Sequence, residues 1–181
     1  LDKLARLAND DFTLDKRMML DVTVHRDRDI IFHDICLNDV VITKGAVARI
    51  VHLAVQCDNV QAMECSGDGV IISTPTGSTA YSMSAGGPVT DPRVKCFCVT
   101  PICPHSLAAR PMIFPDDAAL EIRNICQREK MLYLTVDGRT NCELYRGEVV
   151  RITRSPLQTR LVRLKTCGFY DRLRVKMSEH N

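Results

Sequence analysis

The sequence predicts a mainly β protein: an antiparallel, two-sheet, sandwich-like fold with a few short helices. Three observations carry that prediction. Short runs of alternating apolar and polar residues recur along most of the chain. Clusters of turn-forming residues separate them, the pattern of a sandwich of short strands. Helical spacing is confined to the two ends and to one stretch near residue 80.

Leu1, Leu4, Ala5, Leu7 and Ala8 follow the i, i+3, i+4, i+7 spacing of an amphipathic helix. We place that helix in residues 1–17 and, since no capping residue or Met precedes it, read the chain as a piece of a longer protein. Strands begin near Met18. Leu20, Val22 and Val24 alternate with polar residues, and Asp27-Arg28-Asp29 turns the chain into Ile30-Ile31-Phe32. Val51, Leu53, Val55 and Cys57 form a second alternating run, closed by Asp58-Asn59 before a partner strand at residues 60–65. Further strands fall at 70–73, 96–100, 120–123, 132–136 and 148–153, and Asp137-Gly138 is a hairpin signal. Seven of the eight prolines lie between Pro75 and Pro115, so connections there are long and stiff. A short helix is expected over residues 79–85. Phe169, Leu173 and Met177 share one face of a closing helix. The expected division is residues 1–17 as a boundary helix, 18–158 as a β-rich domain, and 159–181 as a terminal strand and helix.

Composition narrows the functional classes. Hydrophobic residues make up 45% and charged residues 25%, an ordinary soluble balance. The 24 basic and 22 acidic side chains leave +2, too little to attract nucleic acid or an anionic membrane by a general field. No run of 18 apolar residues offers a membrane span, and no secretory pattern opens the chain. Neither nucleic acid nor membrane is expected as a partner. Nine cysteines, none in C-x-x-C spacing, sit mostly within apolar runs and read as buried thiols of a reducing cytoplasm. Zinc held by Cys96, Cys98, Cys103 and His105 is disfavoured, because Cys-x-Cys in a strand lacks the knuckle turn. No metal ligand is assigned. Residues 151–176 hold eight basic side chains against one acid, Asp171, and read first as a solvated face.

The densest chemical signal is Gly67-Asp68-Gly69-Val70-Ile71-Ile72-Ser73-Thr74-Pro75-Thr76-Gly77-Ser78-Thr79-Ala80-Tyr81. Its order is turn, buried strand, hydroxyl-rich loop and helix start. Five of the seven residues from Ser73 to Thr79 are Ser or Thr. Two readings stand side by side: a ligand site at a helix N-terminus, with Gly77 admitting a ligand to the backbone, or a hydroxyl-braced junction with no ligand. Asp68 is equally a turn former or a carboxylate presented to a ligand hydroxyl. The spacing of a P-loop is absent, as is a G-x-G-x-x-G following a strand.

Taken whole, this segment resembles the NAD kinase family. The likeness continues through Ser82-Met83-Ser84-Ala85-Gly86-Gly87-Pro88, Thr100-Pro101-Ile102-Cys103-Pro104-His105-Ser106-Leu107 and Ala109-Arg110-Pro111. It also takes in Leu37-Asn38-Asp39-Val40 upstream and Phe169-Tyr170-Asp171-Arg172-Leu173-Arg174 at the end. The resemblance implies a β-rich C-terminal domain that binds NAD(H) or NADP in an enzyme phosphorylating the adenosine-ribose 2′-hydroxyl of NAD. The donor would be ATP or polyphosphate, with a divalent metal such as Mg. By the same resemblance Asn38 and Asp39 hold ribose hydroxyls or the adenine edge, and Asp68 a ribose or nicotinamide group. Thr79, Ala80, Tyr81, Ser82, Met83 and Ser84 line the adenosine pocket, Arg49 is a ligand contact, and Asp137 approaches NAD across a subunit interface. A homo-oligomer, tetramer or dimer, is implied as well. The family's G-G-D-G-T motif, whose Asp is the catalytic base, does not occur in this chain. No catalytic residue is therefore assigned, and the 181 residues are expected to bind without phosphorylating. Two alternatives are carried: an oligomerisation module of the same enzyme without independent nucleotide binding, and a lipid or sphingoid-base kinase.

Overall fold

Alternation along the strands determines how the chain layers. A computed structural model describes residues 2–45, 50–106, 108–126, 131–164 and 168–178. Its strands are β1 (Thr13–Arg26), β2 (Asp29–Cys36), β3 (Asp39–Lys44), β4 (Val51–Cys57), β5 (Val60–Gly67) and β6 (Gly69–Ser73). They continue as β7 (Cys96–Ile102), β8 (Met112–Pro115), β9 (Leu120–Asn124), β10 (Leu132–Val136), β11 (Thr140–Leu144) and β12 (Val149–Arg163). Helices are α1 (Asp2–Ala8), α2 (Tyr81–Ser84) and α3 (Phe169–Ser178), with a 3₁₀ turn at Gly77–Thr79. The first sheet runs β2-β1-β12-β9-β4-β5 and the second β11-β10-β3-β6-β7-β8. The strand pairs are antiparallel. The predicted two-sheet fold is the observed one.

The two sheets close on one apolar core. Leu20, Val22, Leu53, Val55, Leu120, Ile122 and Ile152 of the first sheet meet Val40, Ile42, Val70, Ile72, Phe97, Val99 and Leu134 of the second. Burying each of these side chains contributes about 1.5–3 kcal/mol. The second sheet is buried on its other face too, where Val41, Ile71 and Ile102 pack with Ala85. That double burial explains why β3, β6 and β7 read as continuous apolar runs rather than alternating ones.

The expected turns form as two-residue links at Asp27-Arg28 and Asp58-Asn59, the latter with positive φ at both residues (49° and 66°). Asp137-Gly138 opens a longer link between Val136 and Thr140, also at positive φ. The opening helix is shorter than expected, stopping at Ala8 instead of Arg17. Asp10 adopts a left-handed φ of 54°, and the N–H groups of Asp10 and Asp11 bond back to the carbonyls of Leu7 and Arg6. This is a Schellman ending, so Thr13 is free to begin β1. The helix expected over residues 79–85 is split into the 3₁₀ turn and one α turn. The strand expected at 148–153 runs on to Arg163, across the 158/159 division. Between Met18↔Gln158 and Leu20↔Arg154 it carries extra residues in a bulge, and Pro156 sits there, where no ladder bond is needed.

Among the described residues the eight cysteines are free thiols. Cys96 and Cys98 are buried on β7 while Cys103 is exposed, so the four-residue zinc set does not assemble. No described helix is long and apolar enough to cross a membrane.

Candidate functional site

Strand register gathers most of the candidate residues at one end of the second sheet. Asp39 opens β3 opposite Ser73, the last residue of β6, while Val40 pairs with Val136 just before the Asp137 turn. The Ser/Thr loop and α2 leave β6 from that same end.

Asp137 organises the corner. Its carboxylate accepts hydrogen bonds from the backbone N–H groups of Leu37 (2.8 Å), Asn38 (2.7 Å) and Asp39 (3.2 Å). The Cys36 thiol also donates to it, at 3.2 Å. Burial beside Asp137 pushes the Cys36 thiol far up, so it serves as a neutral donor. The resemblance has Asp137 approach NAD across a subunit interface; within the one chain its carboxylate accepts bonds from residues roughly 100 positions upstream.

The hydroxyl loop is built against the same turn. Thr74 bonds to the carbonyls of Asn38 (2.9 Å, through its N–H) and Leu37 (2.6 Å, through its hydroxyl). Ser78 donates its hydroxyl to Pro75 O (2.7 Å) and accepts from the Thr90 N–H (3.0 Å), and Ser82 meets Thr100 at 3.0 Å. These hydroxyls brace the loop from within. A Cβ on Gly77 would stand 2.0 Å from the Asn38 carbonyl oxygen, so the backbone that Gly77 admits is Asn38's and not a ligand's. Asp39 is only 6% exposed. Its carboxylate is near the Tyr81 N–H at the start of α2, which draws its pKa down.

Burial, then the neighbouring Asp137 charge, push the Asp39 pKa above its ordinary value of 3.8, with the Tyr81 N–H pulling the other way. A carboxyl whose folded pKa is raised is penalised when ionised. The penalty is present at neutral pH and disappears as pH falls through the folded pKa toward 3.8. Asp39→Asn keeps an acceptor for Tyr81 and removes the charge. It is expected to raise the melting temperature at neutral pH, the gain shrinking to nothing below about pH 4. A gain independent of pH in thermal unfolding scans contradicts the assignment.

What remains exposed is a ledge. Tyr81 is 45% exposed, flanked by exposed Ala80 and Ser84 and half-buried Thr79 and Met83. Ser82, by contrast, is fully buried beneath it. Beside the ledge stand the half-buried Asn38, whose side chain takes no part in the bonds above, and the buried Asp39 carboxylate. An aromatic face next to an amide and a carboxylate offers stacking for a base and hydrogen bonds for a sugar diol.

Two candidates fall elsewhere. Asp68 lies at the opposite end of β6, five residues or about 17 Å along the strand. There it is half-exposed and paired with Lys44 at 2.6 Å. The glycine after it is required by close approach, since a Cβ on Gly69 would lie 2.1 Å from the Ile42 carbonyl oxygen. Arg49 lies outside the described residues. Sequence reading missed Lys44 as the partner of Asp68, Arg17 as the donor to Thr76 (3.2 Å), and Lys176 as the donor to the Thr79 carbonyl (2.8 Å). Only Lys176 had a signal, the basic run near the end of the chain.

The same corner and strands β3 to β12 lie within residues 37–164, which match the family model described as the ATP-NAD kinase C-terminal domain. This chain belongs to that family. The NAD kinase of Symbiobacterium thermophilum is 47% identical over 178 residues, covering 98% of this chain and 62% of that protein. The NAD kinase of Acetivibrio thermocellus is 45% identical over 172 residues, covering 95% and 60%. The chain thus spans about three-fifths of the length of these curated relatives. A crystal structure of yeast NADH kinase complexed with NADH superposes with a TM-score of 0.90 at 25% identity, over 98% of this chain and 52% of that one. The fold alone is shared with an NAD kinase from Archaeoglobus fulgidus in complex with ATP, with a TM-score of 0.72, 23% identity, and 98% and 64% coverage.

Proposed function

We propose that this chain is the nucleotide-binding part of an NAD kinase, the enzyme that moves a phosphoryl group from ATP or polyphosphate to the adenosine-ribose 2′-hydroxyl of NAD, giving NADP. The observation that carries the reading is the corner where the Asn38-Asp39 turn, fastened by Asp137, stands beside the exposed Tyr81. Asn38 and Asp39 take the ribose hydroxyls, Tyr81 packs on the adenosine, and Thr79, Met83 and Ser84 shape the ledge around it. Asp68, at the far end of β6, serves the nicotinamide half. Asp137 holds the turn. Family membership and the likeness to a structure that contains NADH support these assignments.

Phosphoryl transfer rests on positioning, charge neutralisation and an oriented hydroxyl. This chain supplies the positioning of the acceptor; the base is assigned to the G-G-D-G-T motif it lacks. Among the described residues no three His, Cys, Asp or Glu side chains converge to hold a metal. The divalent metal, such as Mg, is proposed to arrive with the donor phosphates, since phosphate and water oxygens are its usual ligands. The division into 1–17, 18–158 and 159–181 is retained in the proposal, with β1 and β12 crossing both boundaries. A cytoplasmic location, consistent with free thiols, and a homo-oligomer, dimer or tetramer, complete it.

Calorimetric titration with NAD and NADP tests the reading. Saturable binding is expected, weakened about tenfold by Tyr81→Ala through lost stacking and packing, and weakened also by Asp68→Ala. A chain that ignores both nucleotides but runs as a tetramer in light scattering is the oligomerisation module instead.

A further inference from the structure

The Tyr81 ledge follows a break in the backbone. The 3₁₀ turn ends at Thr79 and α2 starts at Tyr81, and Ala80 between them has φ −102° and ψ −131°, outside the helical region. The direction in which Tyr81 leaves the loop is therefore set by two successive peptide planes, Thr79–Ala80 and Ala80–Tyr81. The second has its N–H near the Asp39 carboxylate. The first has its carbonyl taken by the Lys176 ammonium, at 2.8 Å, from α3 and 97 residues further along the chain.

The exit of the loop is the part that answers to α3. The interior is braced by Thr74 and Ser78. The entry is held from β1, where Arg17 gives one N–H to the Thr76 hydroxyl while gripping both oxygens of Asp15. α3 itself stands outside the core. None of its residues is buried, and a recess of about 190 Å³, lined by Thr79, Phe169, Leu173 and Lys176 among others, lies between it and the loop. A helix seated this way belongs to the low-stability end of a fold, where local detachment is easiest. The hold of Lys176 on the Thr79–Ala80 peptide thus lasts only while α3 is docked.

We propose that Lys176 is a positioning residue for the nucleotide ledge: docked α3 fixes the Thr79–Ala80 peptide and, through it, the orientation of Tyr81. Its effect on affinity rests on the NAD kinase reading; its effect on the loop does not. Linkage makes the coupling reciprocal. If the docked helix tightens NAD binding, bound NAD tightens the docking of the helix by the same factor.

The test joins NAD calorimetry to hydrogen exchange on the 181-residue chain. Lys176→Met keeps an unbranched apolar stem and removes the donor. It is expected to weaken NAD about fivefold, the loss of one solvent-exposed charge-assisted bond. It is also expected to speed exchange of the Met83 and Ala85 amides, which bond to the Ala80 and Tyr81 carbonyls, with β6 and β7 unchanged. Lys176→Arg retains a donor and is expected to restore both. Arg174→Gln removes the same charge from the same helix, at a side chain 82% exposed and facing Asp171; it is expected to stay within about twofold of the parent. Saturating NAD is expected to slow exchange across α3 in the parent and not in Lys176→Met, a response that a purely structural role would not produce. Unchanged loop exchange in Lys176→Met overturns the proposal, as does an equal loss in Arg174→Gln or a failure of Lys176→Arg to restore. NAD binding indifferent to Lys176→Met overturns it and leaves the NAD reading standing. Faster loop exchange in a chain that binds no NAD does the opposite.

Discussion

Gly77→Ala is expected to destabilise the fold by about 3 kcal/mol, the upper range of overpacking a filled site, and to abolish NAD binding. A Cβ there would lie 2.0 Å from the Asn38 carbonyl oxygen and 2.4 Å from its carbonyl carbon. Both are backbone atoms. The Asn38 turn cannot retreat, because Thr74 holds it from one side and Asp137 from the other. For a chain of this size the loss corresponds to a fall of roughly 6–12 °C in melting temperature. Gly138→Ala is the control. Gly138 has a left-handed φ of 68° and nothing within 4 Å of an added Cβ, so its cost is conformational alone, about 1–2 kcal/mol. If thermal unfolding ranks Gly138→Ala as the worse substitution, the loop does not pack on Asn38 as described.

Gly77 also shows where sequence reading stops. A glycine in a hydroxyl-rich loop announces a close approach, and the sequence carried that much. Which backbone approaches is a non-local fact, set when β3 pairs with β6 and brings Asn38 under the loop. The same limit applies to the hydroxyls. Their density was legible, but only the folded chain assigns Thr74, Ser78 and Ser82 to internal bracing and leaves Tyr81 as the exposed group. Strands buried on one face, such as β1 and β4, were legible from alternation. β3 was read only as a motif, because burial on both faces erases its alternation. β8 was missed because Pro111 and Pro115 bracket it within the proline-rich stretch. The family resemblance, by contrast, was visible in contiguous residues and needed no folding to read.

A phosphoryl acceptor must be held still, and in this corner the rigidity comes from polar groups rather than apolar ones. Three N–H groups, those of Leu37, Asn38 and Asp39, point at one carboxylate. They form a small anion nest filled by the protein's own side chain. The arrangement places two carboxylates together, Asp39 and Asp137, and the cost appears as the raised pKa of Asp39. Asp137 is tolerated because it is hydrogen-bonded on every side. Asp39, with the Tyr81 N–H, is left as the group whose charge is less well compensated and thus the more responsive to a bound hydroxyl.

Asp137→Ala is therefore expected to do more damage than removal of any single site contact. It leaves three N–H donors without their acceptor in a corner where the Asp137 side chain is itself only 15% exposed. At 1–3 kcal/mol for each unpaired group, with water recovering part of the loss, the expected destabilisation is about 4 kcal/mol. Asp137→Asn separates positioning from contact. An amide oxygen in place of Oδ1 keeps the bonds from Asn38 and Asp39, while the NH₂ group faces the Leu37 N–H that Oδ2 had accepted. It is expected to cost about 1–2 kcal/mol and to retain most of the NAD affinity, whereas Asp137→Ala loses it together with stability. Removing the neighbouring charge also moves the Asp39 pKa back toward 3.8, so the asparagine variant's stability varies less between acid and neutral pH than the parent's. Denaturant unfolding at two pH values, paired with NAD titration, reads all three effects. If Asp137 touched the nucleotide directly, both variants would weaken NAD equally and leave stability unchanged. That result would return Asp137 to the nucleotide and leave the Asn38-Asp39 turn without its fastener.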